Sequence, residues 1–508
     1  MLLNSYFFTT SLTLLATSLN SVFAADSDDS SSNSTLAPIE IKGNAFFNSE
    51  SGDRFYIRGV DYQPGGSSNL TDPLADVDIC KRDVPVFKDL GINTIRVYTV
   101  DNSLDHEECM QLLADAGIYL ILDVNTPDSS ISRYNPACSY NADYLQNVFA
   151  TIDVFAKYDN VLGFFAGNEV INSKNTTNTA TYVKAVVRDM KKYIKARDYR
   201  KIPIGYSAAD IVENRQLAAE YFNCGSDDDS RIDMFGVNDY SWCGQSSFVT
   251  SGYNTKMQLY KGYSIPIFLS EFGCNEVVSS RPFTEIEAIY STQMSSVFSG
   301  GLVYEYSNET NNYGLVQING DTVTKLDDFV NLKNEYSKVS NPTGDGGYST
   351  SNNYSTCPDF EKGVWEANAT LPAMPSAASA YFSTGAGEPM GTILSTQNNC
   401  YDDDDDDDDD DYEDDEDSSS SSAVSSSISS SSTEEEESSS MSSTANFTSS
   451  VTNTAQVRVT SRSSSVISST SASTSSSSSS SSSSRGSGSI VEVPMIFQVI
   501  AELWNYIL

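Results

Sequence analysis

Two short segments of this sequence end in the same way. Val161 to Asn172, VLGFFAGNEVIN, runs apolar and then stops on an amide and a carboxylate, Asn168 and Glu169. Ile265 to Asn275, IPIFLSEFGCN, has the same shape and delivers Glu271. An ionised group at the end of a buried run is costly unless the run ends at a site that solvates or hydrogen-bonds it. Two such runs bringing two acids together suit a proton donor paired with a nucleophile or base, the equipment that cleaves a glycosidic bond. The amide before Glu169 fits that chemistry, because it can hydrogen-bond a sugar 2-hydroxyl more strongly as oxocarbenium character develops.

Other chemistries are short of parts. His106 is the only histidine, which argues against Ser-His-Asp catalysis and His-rich metal sites; His106 itself is expected on the surface at a helix start. No metal or organic cofactor is called for. The formal charge of −39 is concentrated in a tail: Asp402 to Asp417 holds fifteen acids broken only by Tyr412, and Glu434 to Glu437 adds four. With no basic stripe to neutralise phosphates, nucleic acid is not an expected partner. The aspartate run lacks the spaced, turn-forming loop of a specific calcium site.

Positioning two acids requires a scaffold, and the chain between about residues 55 and 306 supplies one. Eight apolar runs recur there: RFYIRGVDYQP, INTIRVYTV, IYLILDVN, VLGFFAGNE, IPIGYS, MFGVNDYSW, IPIFLSE and GLVYEY. Continuous apolar strands are those of parallel sheets, buried on both faces. Amphipathic stripes lie between them, one at Val183, Val186, Val187, Met190 and Ile194, another at Ile286, Tyr290, Met294 and Val297. The reading is an α/β fold, a (β/α)8 TIM barrel; the competing open doubly wound sheet lacks a G-x-G-x-x-G or P-loop after any strand. Polar residues gather where the runs stop: Asp61 and Tyr62, Arg96 and Tyr98, Asp123, Asn168 and Glu169, Tyr206, Asn238 and Tyr240, Glu271, and Tyr304. In a barrel these ends form the mouth, where active sites sit. Phenols facing the cleft from Tyr98, Tyr240 and Tyr304 would fix a nucleophile's ionisation, and Trp242, Tyr62 and Tyr306 are candidate stacking platforms for sugars.

The flanks read as export and processing. Residues 1–24 form a signal peptide ending in Val22-Phe23-Ala24, and residues 25–37 a linker. Seven sequons, at Asn33, Asn69, Asn175, Asn308, Asn353, Asn368 and Asn446, suit a secreted chain. Eight cysteines without any C-x-x-C pair are expected in disulfides. Cys243 and Cys274 would stand on neighbouring rims and Cys80 and Cys109 flank successive early units, so each is a plausible pair; Cys224, Cys357, Cys138 and Cys400 remain open. The barrel is expected over 38–335, an irregular extension tethered by a disulfide over 336–400, and a disordered acidic and Ser-rich stalk over 401–484. Residues 485–508 place small residues around Gly486 ahead of an apolar stretch, the order of a glycolipid-anchor (GPI) signal that is removed; an amphipathic terminal helix on a soluble chain is the alternative.

GVDYQPGGSS (Gly59 to Ser68), LGFFAGNEV (Leu162 to Val170), VNDYSWCG (Val237 to Gly244), SEFGCN (Ser270 to Asn275) and GGLVYEY (Gly300 to Tyr306) together resemble the fungal glycolipid-anchored 1,3-β-glucanosyltransferases, glycoside hydrolase family 72. The resemblance spans roughly residues 38 to 400. It implies that Glu169 is the general acid/base and Glu271 the nucleophile, with Tyr98, Asp123, Asn168, Tyr240 and Tyr304 in the donor site. It also implies the disulfides Cys80–Cys109, Cys224–Cys357 and Cys243–Cys274, leaving Cys138 and Cys400 to pair with each other. Glucan chains would be donor and acceptor, and the protein a monomer at the cell surface, lipid-anchored at the plasma membrane or retained in the wall. No cysteine-rich carbohydrate-binding module follows the extension, as in the shorter subfamily. Asp239 stands where relatives often carry an uncharged residue, which bears on a subsite. A plain β-1,3-glucanase and a non-catalytic glucan-binding wall protein are the rival readings.

Overall fold

In the computed structural model, which describes residues 36–276, 279–392 and 395–396, the eight apolar runs are eight parallel strands: Ile57–Asp61, Thr94–Val97, Tyr119–Asp123, Val161–Asn168, Ile204–Ala209, Met234–Cys243, Ile267–Cys274 and Phe298–Val303. They close in sequence order, the eighth pairing with the first, into a (β/α)8 barrel. Every residue of the second, third, seventh and eighth strands is buried, the polar Thr94 and Arg96 included.

A hairpin of Ile39–Lys42 and Ala45–Asn48, extended by Arg54–Phe55, covers the N-terminal end of the barrel. Its Ile39 and Phe46 join a core of Ile57, Ile121, Leu162, Phe165, Met234, Phe268 and Leu302. The interior therefore rises from an apolar floor: Phe46 meets Phe268 edge-on, Phe268 stacks on Phe165, and the Arg96 guanidinium lies 4.9 Å above the Phe165 ring. Gly236 leaves the room this needs, since a Cβ there would lie 2.5 Å from Ser270 Oγ and 2.9 Å from Phe165.

The helices pack their apolar stripes on the strands. Ala180–Ala196 buries Val183, Val186, Val187, Met190 and Ile194, as its pattern predicts. Val77–Leu90 starts under Asp76, whose carboxylate accepts from two backbone N–H groups, and ends at Gly91 with φ 82°, where a side chain would be strained. The second predicted stripe differs: the helix covers only Glu285–Ile289, and Tyr290, Met294 and Val297 are buried from the turns that follow. Apolar spacing here records burial rather than a continuous helix.

Disulfides join Cys80 to Cys109, Cys224 to Cys357 and Cys243 to Cys274. Cys138 is also disulfide-bonded, while Cys400 lies outside the described residues. The last barrel helix is Asp327–Lys338; beyond it the described residues are irregular apart from Ser376–Ala380 and Tyr381–Thr384. This extension lies against the helical layer through buried Trp365, whose ring meets Tyr221 at 5.5 Å, and through backbone N–H groups of Glu366 and Asn368 that donate to Thr177 and Thr181. The predicted signal peptide, stalk and anchor signal, with Asn33, Asn446 and Gly486, lie outside the described residues. Among the described residues, no helix is long and apolar enough to cross a membrane.

Candidate active site

Glu271 stands at the inner wall of the seventh strand, 6% exposed, and both of its oxygens are held. Oε1 accepts from the Tyr98 hydroxyl at 2.8 Å and from Arg96 at 3.1 Å; Oε2 accepts from the Tyr240 hydroxyl at 2.8 Å. Arg96 is itself committed to Asp123, donating through Nε at 3.0 Å and Nη2 at 2.8 Å. The Arg96–Asp123 pair is neutral as a unit, so Glu271 receives hydrogen bonds without being neutralised by a full counter-charge. Burial pushes the Glu271 carboxyl up to about 7; Arg96 pulls it down, the negative charge of Glu169 raises it, and the two phenols lower it.

Glu169 follows the fourth strand with φ 48°, the left-handed region that a non-glycine residue seldom occupies. The surroundings hold it there: its N–H donates to Ser207 O at 2.8 Å, and Arg133 Nη2 donates to its carbonyl at 2.9 Å. Asn238 Nδ2 donates to Glu169 Oε1 at 2.7 Å and to Asn168 Oδ1 at 3.2 Å. Asn238 Oδ1 in turn accepts from Ser207 at 3.0 Å and Ser270 at 2.7 Å, fixing the amide's orientation. Tyr304 lies across from these groups, its hydroxyl 3.3 Å from Ser67 Oγ, and forms an edge-to-face triangle with Tyr240 and Tyr313.

Thus all seven residues singled out for catalysis or donor binding converge on one mouth. Arg96, Asn238 and Asp61 stand at strand ends in the sequence, but what Arg96 and Asn238 hold comes from partners on other strands. Asp61 is fully buried, and neither of its carboxyl oxygens has a hydrogen-bond partner among the described residues. Burial drives its pKa well above the carboxylate range, with Arg96 opposing and Glu271 and Asp123 adding to the rise. Tyr313, in the loop after the eighth strand, gave no signal in sequence beyond being aromatic.

Four expectations are corrected. Tyr62 and Tyr306 are not sugar platforms: both are buried, pack on Phe87, and donate their hydroxyls to Asp83 at 2.8 Å. Trp242 is buried against Tyr253 and donates to Thr284. Irregular register between the sixth and seventh strands, beside Glu271 and again before Cys274, breaks simple alternation, so two residues beyond Tyr240 the chain no longer faces the cleft. His106 is buried, not on the surface, because its Nε2 pairs with Asp72 at 2.7 Å. Asp239 is committed to a buried ion pair with Lys256, which also meets Asp210 at 2.7 Å, and not to Glu169 or Glu271. Cys243, Cys274 and Glu276 cluster closely enough for a metal, but both sulfurs are spent in a disulfide.

A closed (β/α)8 barrel with two carboxyl groups, an amide and tyrosines at its mouth defines the class of barrel enzymes that act on glycosidic bonds. The model of glycoside hydrolase family 72, described as glucanosyltransferase, matches residues 28–340, and the chain belongs to that family. It is 84% identical over 371 residues to 1,3-beta-glucanosyltransferase GAS5 of Saccharomyces cerevisiae, covering 73% of this chain and 77% of that protein. It is 56% identical over 378 residues to 1,3-beta-glucanosyltransferase gel1 of Aspergillus fumigatus, covering 74% and 82%. Among solved structures, a mutant of Saccharomyces cerevisiae Gas2p in complex with laminaritetraose and laminaripentaose superposes with a TM-score of 0.63 at 44% identity, over 67% of this chain and 76% of that one.

Proposed function

We propose that this chain is a retaining 1,3-β-glucanosyltransferase that cuts an internal β-1,3-glucan linkage and transfers the new end to the non-reducing end of a second glucan. The observation that carries the reading is the contrast between the two acids: Glu271 is clamped by Tyr98, Tyr240 and Arg96, while Glu169 is held by one neutral amide, Asn238. The clamped group is the nucleophile and the other the acid/base.

In the first displacement a Glu271 oxygen bonds to the anomeric carbon as the C1–O bond breaks, and Glu169 gives its proton to the departing oxygen. In the second, Glu169 takes the proton of an acceptor 3-hydroxyl, whose oxygen attacks C1 and releases Glu271. Two inversions retain the β configuration, and double displacement calls for carboxyl groups about 5 Å apart. Protonating Glu169 removes the like charge that raises Glu271, so the productive state is the singly protonated pair. Asn168 serves the sugar 2-hydroxyl, and Tyr98, Asp123, Tyr240 and Tyr304 shape the donor site. Transfer exceeds hydrolysis where the acceptor is held at high effective molarity against water.

The test is product analysis on a reduced linear 1,3-β-glucan oligosaccharide. Products longer than the substrate support transfer; shorter products alone mean a glucanase, and an unchanged mixture means binding only. Glu169→Gln and Glu271→Gln should each abolish turnover. Export, supported by the Val22-Phe23-Ala24 end of residues 1–24, and glycolipid attachment near Gly486 with residence at the cell surface or wall, supported by the small-residue and apolar order of residues 485–508, complete the proposal, with the protein acting as a monomer. The proposed domain limits follow the sequence reading: barrel 38–335, extension 336–400, stalk 401–484. Of the proposed glycan sites, Asn175, Asn353 and Asn368 are exposed, whereas Asn69 and Asn308 are half-buried with side-chain amides donating to Pro64 O and Gln317. Occupancy, read by peptide mass spectrometry, is expected to favour the first three.

A further inference from the structure

One wall of the mouth is built by loops that follow the first four strands, with Ser67, Tyr98, Asp123, Asn168 and Arg133 along it and Tyr134 at its rim. Tyr134 is 75% exposed. Among the described residues its ring has no hydrogen bond, aromatic partner or cation, and it is the one strongly exposed aromatic that lines the cleft. An isolated surface aromatic is ordinary in itself. What sets this one apart is that the backbone beneath it is fixed while the ring is left open.

The fixing is specific. Ser132 Oγ accepts from the N–H groups of both Tyr134 and Asn135 at 3.3 Å, and Ser132 N donates to the buried Ser139 hydroxyl at 2.9 Å. Arg133 spans from this loop to the carbonyls of Glu169 and Val170, at 2.9 and 3.3 Å. On the other side Asn135 caps the short helix Pro136–Ser139, which contains the disulfide-bonded Cys138. The loop is thus tied to the backbone of the acid/base residue itself. A ring on such a mount is positioned at little further entropic cost when a ligand arrives.

The direction of the wall says which ligand. This step rests on the reading above, in which Asn168 meets the 2-hydroxyl of the sugar that is cut. In a β-1,3-glucan the donor continues from O3, which is carried by the carbon next to C2, so the preceding sugars leave on the Asn168 side and run along this wall. We infer that Tyr134 is the stacking platform of a distal donor subsite, packing its ring face on a glucose unit several residues before the cut. It makes the enzyme sense donor length.

The test compares wild type with Tyr134→Ala and Tyr134→Phe across reduced 1,3-β-glucan oligosaccharides of increasing length. For donors long enough to reach the rim, Tyr134→Ala is expected to raise KM about tenfold, equivalent to about 1.4 kcal/mol, with kcat little changed. The shortest productive donors should lose far less, and Tyr134→Phe should restore long-donor KM, because the ring and not the hydroxyl is used. An equal loss at every length, or no loss at any, would overturn the inference. Calorimetric binding of the same oligosaccharides to Glu271→Gln, with and without Tyr134→Ala, reads the subsite independently of turnover. A wild type that makes only shorter products would sink the transferase reading while leaving this binding difference intact.

Discussion

The electrostatics of the proposed reacting pair, Glu169 and Glu271, are set by one atom group from each of several residues, and each can be altered singly. Replacing Tyr98 or Tyr240 by Phe removes a hydrogen bond to ionised Glu271, which favours its neutral acid. Hydrogen bonds to charged groups are worth roughly 1.5–3 kcal/mol, so each variant should lose on the order of ten- to a hundredfold in kcat/KM and shift the acid limb of its pH profile upward. Glu169→Gln should move Glu271 the other way, because a like charge that raises it is gone. The pH dependence of Glu271 labelling by a mechanism-based inhibitor reads this shift; an unchanged midpoint would mean that the two carboxyl groups do not sense each other. Arg96→Lys cannot reproduce the two-pronged contact with Asp123. It should cost more activity than its conserved charge suggests.

Elements carry the next level of control. The sixth and seventh strands bring Asn238, Tyr240 and Glu271 into one layer, and Cys243–Cys274 clips their ends together just beyond it. The extension, by contrast, is attached to the outer helices, through Cys224–Cys357 across 133 residues and through buried Trp365. Removing a disulfide of this kind typically costs about 2–4 kcal/mol, and truncating a buried Trp about 3–5 kcal/mol. Cys357→Ser and Trp365→Ala should therefore lower the thermal midpoint and expose the extension to protease. Activity at temperatures where the barrel remains folded should be retained. The end of the extension also reaches the loop after the third strand, where the Thr396 N–H donates to Asp128 O at 3.0 Å, so loss of activity without loss of stability would show that this contact shapes the mouth.

At the scale of the whole molecule, buried carboxyl groups tie stability to pH. Burial pushes Glu285 and Glu305 each up to about 8 and Glu271 up to about 7. A carboxyl raised above its unfolded value of about 4.3 favours the folded state while protonated. That contribution is complete below the unfolded value and is lost as pH rises through 7 to 8 for these three groups. Asp239, held below the usual range by Lys256 against its burial, acts oppositely and weakens the fold only under stronger acid. The thermal midpoint is expected to rise on acidification from about pH 8.5 to about 5.5. Glu285→Gln, which alters a buried carboxyl outside the proposed site, should flatten that slope in a calorimetric series.

The sequence by itself determined the strands, the barrel and the two acids, because a strand buried on both faces must be apolar and any polar residue at its end must have a reason. The strand-end positions of Glu169, Glu271, Tyr98, Tyr240 and Tyr304 were legible on that ground, while the tyrosines' parts rested on the motif set that named the family. Tertiary structure alone decided which way each ring faces. Tyr304 and Tyr306 are two residues apart, yet one lines the cleft and the other pairs with Asp83, because the strand ends at Val303 and alternation does not carry past it. His106 went inward for a partner, Asp72, that lies 34 residues away. The same holds for Arg96 and Asn238: a strand-end position is local, but a hydrogen bond across a barrel joins strands far apart in the chain, and only closure of the sheet brings the donor to its acceptor.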